Sequence, residues 1–279
     1  MPEGDTIRRI ADALGRALAG RVVTAFETAY AHLARVDDDQ PVAGRRVERV
    51  RAVGKHLLIE FSGGLVLRTH MRMSGRWHLY RHGERWRGSN AAIRIVIATP
   101  EYVAVAFDVV DAELVPSASL ARVGPLPHLG PDLLDAAFAE AQAIANLRAC
   151  GDRPMGEVLL DQRVMAGVGN VFKSEILFVC GVHPWTTARA LDEDAVVKVV
   201  RTARRLLRLN AGVGASATGG RLAGRRTTGR LNPAEQLWVY GRRGRPCFRC
   251  GSTIESGKQG AAARTTYWCP VCQPGPAGR

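Results

Sequence analysis

Cys247-Phe248-Arg249-Cys250 and Cys269-Pro270-Val271-Cys272 are two Cys-x-x-Cys pairs near the end of a 279-residue chain. Eighteen residues separate them, and four thiolates so spaced can take the corners of a tetrahedron, the arrangement of structural zinc sites. The intervening segment has Gly251, Gly257 and Gly260 and then Thr265-Thr266-Tyr267-Trp268. A glycine-containing turn region followed by β-favouring residues predicts a hairpin. Two disulfides or a pair of redox dithiols are the competing readings; an intracellular setting weighs against the first and the doubled spacing against the second. The expected cofactor is one structural zinc ion held by Cys247, Cys250, Cys269 and Cys272.

The finger is basic. Arg264 stands five residues before Cys269, and Arg242, Arg243, Arg245, Arg249 and Lys258 surround the cysteines. Guanidinium groups offer planar forks of donors that suit phosphates, although each arginine alone is as well explained by a solvated surface. Over the whole chain 39 Lys and Arg face 26 Asp and Glu, a formal net charge of +13. That excess predicts a polyanionic partner, nucleic acid ahead of a membrane surface. Aromatics, at 6%, are too few for a platform stacking many bases. No uninterrupted apolar span or signal-like segment stands out, so a soluble, unexported, cytoplasmic protein is expected. At this length two modest domains, each with its own core, are the expected organisation.

The chain opens Met1-Pro2-Glu3-Gly4-Asp5. Loss of the initiator Met, which a small second residue permits, would expose Pro2 as a secondary amine; a proline at the first turn of a helix is the ordinary alternative. Asp5 reads as an N-cap, with Ile7, Ile10, Ala11, Leu14 and Leu18 at helical spacing up to Gly20. Seven short β-rich runs follow, at 22–26, 47–53, 56–61, 65–68, 77–80, 93–98 and 103–107, predicting a sandwich or flattened barrel. Gly54-Lys55-His56 puts a lysine at the mouth of one strand, and His70-Met71-Arg72-Met73-Ser74-Gly75 forms a turn between two others. The proline-rich stretch 116–131, which contains Arg122, reads as a linker. Helices are expected at 133–149, 156–165, 171–180 and 193–209. Ala166-Gly167-Val168-Gly169-Asn170 makes a sharp reversal, with Asn170 able to cap the next helix and leave a phosphate seat at its N-terminus. Residues 212–230 are expected to be a mobile loop, and Cys150 and Cys180 to be buried thiols.

These pieces together resemble the formamidopyrimidine-DNA glycosylase / endonuclease VIII family of bacterial base-excision repair. The resemblance rests on Met1-Pro2-Glu3-Gly4-Asp5, Gly54-Lys55-His56-Leu57 and Thr69-His70-Met71-Arg72-Met73-Ser74-Gly75. It continues through Leu159-Leu160-Asp161-Gln162, Ala166-Gly167-Val168-Gly169-Asn170 and Ser174-Glu175-Ile176-Leu177 to Arg264-Thr265-Thr266-Tyr267-Trp268-Cys269-Pro270-Val271-Cys272-Gln273. It implies an α+β fold: a catalytic β-sandwich with its N-terminal helix at 1–115, a linker at 116–131, a helix–two-turns–helix domain at 132–240 and a zinc finger at 241–279. Damaged DNA is the implied partner, bound in a cleft by a monomer.

The same resemblance assigns the chemistry. Pro2 is the expected nucleophile toward the sugar C1′, and Glu3 the acid assisting ring opening or base departure. Lys55 is the expected proton donor in β-elimination, and Arg264 the group linked to δ-elimination, better understood as a phosphate clamp because arginine hardly gives up a proton. Met73 is the expected filler of the gap left by the flipped base, with Arg72 beside it and with Arg122 and Asn170 on phosphates. Phe107-Asp108-Val109-Val110-Asp111 stands where formamidopyrimidine-type enzymes carry Arg-Arg-Phe-Gly, and the Gly4-Asp5 opening is similar to endonuclease VIII. That favours oxidised pyrimidines and abasic sites. The rival readings are a formamidopyrimidine-type enzyme acting on 8-oxoguanine and a non-enzymatic zinc-dependent DNA-binding protein.

Overall fold

A computed structural model describes residues 2–122, 124–212 and 224–275. The chain divides into two compact units, residues 1–127 and 128–279. In the first unit, helix α1 (Gly4–Leu18) precedes strand β1 (Ala25–Thr28) and helix α2 (Ala31–Asp39). Strands β2 (Val47–Val53), β3 (His56–Phe61) and β4 (Leu65–His70) form a meander that β8 (Asp111–Pro116) completes at the far edge. Strands β5 (Arg76–Arg81), β6 (Ile93–Ala98) and β7 (Tyr102–Phe107) join β1 in a second sheet, ordered β1-β6-β7-β5. Every pairing is antiparallel. Alternation explains the packing: Leu57, Ile59 and Phe61 share one face of β3, and they enter a core with Trp77, Ile95, Ile97 and Ala104 of the other sheet. The apolar stripe of α1, with Ile7, Ala11, Leu14 and Leu18 buried, closes that core.

Register brings four segments to one end of this unit. Val53 pairs with His56 around the Gly54-Lys55 turn, and His56 pairs with His70. His70 in turn pairs with Asp111, while Arg76 pairs with Phe107. The two crossings between sheets, β4 to β5 through residues 71–75 and β7 to β8 through residues 108–110, therefore lie beside each other and beside the lysine turn. Helix α1 runs antiparallel to β2: Gly20 N–H donates to Val47 O at 2.8 Å, and a Cβ built on Gly15 would lie 3.8 Å from Val50. Gly15 lies eleven positions after Gly4, about 16 Å of helix, so the helix start reaches the same end.

In the second unit, α3 (Glu140–Arg148), the short α4 (Met155–Val158), α5 (Asn170–Cys180) and α6 (Glu193–Ala211) surround a separate core that includes Leu147, Phe172, Ile176, Val199 and Leu206. Helix α6 is capped by Asp192, whose carboxylate accepts from Ala195 N–H at 2.7 Å, and it ends at left-handed Gly212. Strands β9 (Glu255–Gln259) and β10 (Arg264–Trp268) form the expected hairpin. Phe178 of α5 packs with Val239, Cys247, Ile254 and Cys269 of the finger.

Several expectations need correction. The N-cap of α1 is Glu3, and Asp5 lies inside the first turn, fully buried with Arg9 at 3.6 Å. Helix α2 and strand β8 were not expected as elements. The helices expected at 133–149 and 156–165 are shorter because aspartates compete for the backbone. Asp132 accepts from Leu134 N–H and Asp135 from Ala137 N–H, each at 2.9 Å, while Asp161 accepts from Arg163 N–H at 3.1 Å. Cys150 and Cys180 are half-buried. Of the expected loop at 212–230, residues 213–223 lie outside the described residues. Residues 226 and 227 are tied down: Arg226 N–H donates to Asn210 Oδ1 at 2.7 Å and the Thr227 hydroxyl to Glu175. Among the described residues no helix is long and apolar enough to cross a membrane.

Candidate active site and metal centre

Glu3 has 0% of its surface exposed, and its carbonyl accepts from Thr6 N–H at 2.9 Å and Ile7 N–H at 3.1 Å. Those bonds start α1 and fix half-buried Pro2 directly ahead of the first turn. Lys55 sits in the β2–β3 turn, which left-handed Gly54 (φ 56°) makes possible. Beneath it lies a buried polar cluster. Arg68, 2% exposed, donates to Glu113 at 2.9 Å and to Asp111, and its Nη1 lies 3.0 Å from His56 Nδ1. Arginine can only donate, so His56 accepts at Nδ1 and is neutral. Burial, with His70 and Arg68 nearby, pushes the His56 pKa down to about 3. Burial and Arg72 bring His70 down to about 4. Burial pushes the Asp111 carboxyl up, but the hydrogen bond and charge of Arg68, with Arg72 behind, outweigh it and hold the pKa below the usual value.

The turn after His70 is tight. Gly75 N–H donates to Met71 O at 2.8 Å, and a Cβ at Gly75 would come within 2.6 Å of that oxygen. Met71 is buried, whereas Met73 is 58% exposed at the tip. Arg72 adopts left-handed φ 50° and reaches Asp111 at 3.1 Å. Exposed Arg122 ends a 3-10 turn, Ser117–Arg122.

In the second unit, the expected capping role of Asn170 is replaced by a cross-link. Gly169 is the N-cap of α5, and Asn170 Nδ2 donates to Thr265 O at 2.9 Å. The contacts then step along β10. Buried Lys173 donates to Thr266 Oγ1 at 2.6 Å, and Tyr267 N–H donates to Ser174 Oγ at 3.4 Å. Asn170 and, one helical turn further on, Lys173 and Ser174 thus meet three consecutive residues of the strand that begins with exposed Arg264. Asn170 Oδ1 is buried with no hydrogen-bond partner among the described residues. Glu175, fully buried, accepts from Trp238 N–H at 2.8 Å, from Val239 and Tyr240 N–H at 2.9 Å each, and from the Thr227 hydroxyl. Sequence reading gave Lys173 and Glu175 no role. The signal available was two ionisable residues within the otherwise uncharged, mostly apolar run Asn170–Cys180.

The four finger cysteines bring their Sγ atoms within 4.8 Å of one another, with Cys250–Cys269 at 3.4 Å and Cys247–Cys272 at 3.9 Å. Sulfurs about 2.3 Å from a central zinc ion stand about 3.8 Å apart, so the cluster fits a four-thiolate site. All four are free thiols, which disfavours the disulfide reading. Arg249 N–H donates to Cys247 Sγ and Cys272 N–H to Cys269 Sγ, each at 3.4 Å, and such donors support thiolates. Not every finger arginine faces outward. Arg242 is buried over the Phe248 ring, 3.3 Å from its centroid, and donates to Pro246 O at 2.7 Å.

The chain thus pairs a β-sandwich unit carrying a buried carboxylate at its first helix with a helical unit carrying a four-cysteine finger. Residues 1–111 match the formamidopyrimidine-DNA glycosylase N-terminal domain, and residues 129–221 match its H2TH domain. "Probable endonuclease 8 2" of Streptomyces coelicolor is 41% identical, the alignment covering 100% of this chain and 96% of that one. The "DNA-(apurinic or apyrimidinic site) lyase Nei2" of Mycolicibacterium smegmatis is 38% identical over 98% of this chain and 99% of its own. The crystal structure of Lactococcus lactis formamidopyrimidine-DNA glycosylase bound to DNA containing an AP site superposes with a TM-score of 0.80, at 23% identity over 98% and 100% of the chains. The chain belongs to the formamidopyrimidine-DNA glycosylase / endonuclease VIII family, on the endonuclease VIII side, and is a DNA glycosylase with AP lyase activity.

Proposed function

We propose that the chain removes oxidised bases, pyrimidines foremost, through an imine between Pro2 and the lesion sugar, and then cuts the strand by β,δ-elimination. The observation that carries this reading is the carboxylate of Glu3, wholly buried beside Pro2 at the end of the sandwich that also holds Lys55. Once Met1 is removed, the proline nitrogen lies at the positive end of α1, which disfavours its protonated form and leaves a lone pair for attack. That pair bonds to C1′ as the base leaves, the proton shed by the proline nitrogen passes to the departing base, and Glu3 protonates O4′ as the ring opens to the iminium. The resulting iminium draws electrons from the C2′–H bond, so loss of that proton expels the 3′ phosphate, with Lys55 handling the proton. Loss of the C4′ proton then expels the 5′ phosphate, and water releases the sugar remnant from Pro2.

Arg264, at the start of β10, would clamp a phosphate during these steps, Asn170 and Arg122 would each hold phosphates around the lesion, and Met73 would fill the space of the flipped base. The finger cysteines fit a zinc ion whose role is to hold the β9–β10 hairpin, and so Arg264, in place. The turn at Asp108-Val109-Val110 carries no arginine, which supports pyrimidine lesions over 8-oxoguanine paired with cytosine. A single lesion needs only a monomer. The test is a panel of duplexes with thymine glycol, dihydrouracil, an abasic site or 8-oxoguanine, with analysis of the product ends. Excision of the pyrimidines with phosphate at both new ends is expected. A strong preference for 8-oxoguanine opposite cytosine would reverse the substrate assignment.

A further inference from the structure

Two neighbouring turns of the sandwich are braced against each other by reciprocal ion pairs. Arg72 of the 71–75 turn holds Asp111, just beyond the 108–110 turn, at 3.1 Å, and Arg76, just beyond the first turn, holds Asp108 of the second at 2.9 Å. Both turns contain a non-glycine residue in the left-handed region, Arg72 at φ 50° and Asp108 at φ 52°, a conformation that needs support from its surroundings. Each also carries an exposed apolar side chain, Met73 at 58% and Val110 at 65%. Asp111 is the joint. One carboxylate oxygen accepts from buried Arg68 and the other from Arg72, so the exposed arginine is tied to the interior of the sheet.

We propose that Asp111 is a positioning residue for lesion-site binding, latching Arg72 and the Met73 turn to the Val110 turn so that both apolar tips meet the duplex as one preformed wedge. The proposal rests on the reading that Met73 enters the duplex. Preorganisation matters because ordering a mobile turn on binding would subtract from affinity.

The test is a double-mutant cycle on the full-length, zinc-loaded protein. Asp111→Asn, Met73→Ala and the double variant are compared for binding to a duplex with a tetrahydrofuran abasic analogue, and for borohydride trapping on a single-stranded abasic oligonucleotide. Asp111→Asn should weaken duplex binding about tenfold, change single-strand trapping less than twofold, and add less than twofold in the Met73→Ala background. Arg72→Lys, which keeps the charge pair, should retain most of the duplex affinity that Arg72→Ala loses. Equal losses on duplex and single strand, or full additivity with Met73→Ala, would overturn the proposal and leave Asp111 a general support of the fold. Unchanged duplex binding by Met73→Ala would overturn the reading beneath it, an outcome distinct from failure of Asp111→Asn alone.

Discussion

Replacing Glu175 by glutamine tests how the helical unit holds its finger. The carboxylate accepts from three backbone N–H groups, those of Trp238, Val239 and Tyr240, and from the Thr227 hydroxyl. Burial pushes its pKa up, while these donors, Thr227 first, pull the other way without reversing the direction. In the variant the remaining oxygen can keep the Val239 and Tyr240 donors, and the Thr227 hydroxyl can rotate to accept. The Trp238 N–H, 2.8 Å from the other oxygen, would then face an amide NH2 with nothing to accept its proton. An unsatisfied buried donor costs about 1–3 kcal/mol. For a unit of this size about 2 kcal/mol corresponds to roughly 4–8 °C in melting temperature. Calorimetry of the zinc-loaded protein should show that drop in the transition of the helical unit, with a larger one for Glu175→Ala, which strands all three N–H groups. A melting temperature within 1 °C of the parent for Glu175→Gln would refute the reasoning.

Acid should weaken the sandwich unit in a defined window. His56 has its pKa lowered to about 3, so between there and its unfolded value near 6.5 the unfolded chain binds the extra proton. Stability is therefore full above about pH 6.5 and declines toward acid, by about 2 kcal/mol at pH 5 for His56 alone. Thermal unfolding from pH 7.5 to 5 should show this slope, and His56→Asn, which keeps an acceptor for Arg68, should flatten it; an unchanged slope in that variant would contradict the assignment. Metal analysis should find one zinc ion per chain, and its removal or Cys269→Ser should weaken DNA binding and cleavage at least about tenfold by unseating Arg264. Full cleavage by metal-free protein would count against that role.

Local chemistry made much of the fold legible. The cysteine spacing announced the finger because four ligands must reach one point, and the β3 and β4 runs could be read from continuous β-favouring residues bounded by Ser62-Gly63-Gly64. Helix α2 was hidden because Leu33 is its only buried residue and it ends in three aspartates. Asp5 resembles a cap by residue type, yet the chain turns helical one residue after Glu3, and the aspartate is enclosed instead. In the candidate site, Pro2, Glu3, Lys55 and Met73 stood out as motif residues. The cluster of Arg68 with His56, Asp111 and Glu113 did not, because it joins residues 12 to 45 positions apart and exists only once the β3–β4–β8 register is known. The side chain of Asn170 was ambiguous for a similar reason: capping is a local option, whereas its partner Thr265 lies 95 positions away.

The most direct measurement is borohydride reduction of the mature protein mixed with abasic-site DNA, followed by peptide mass spectrometry of the cross-linked species. The adduct should map to the nitrogen of Pro2 at a chain end lacking Met1, and Pro2→Gly should slow or abolish its formation. A retained Met1 in active protein, or an adduct on Lys55 with Pro2 unmodified, would contradict the proposed chemistry.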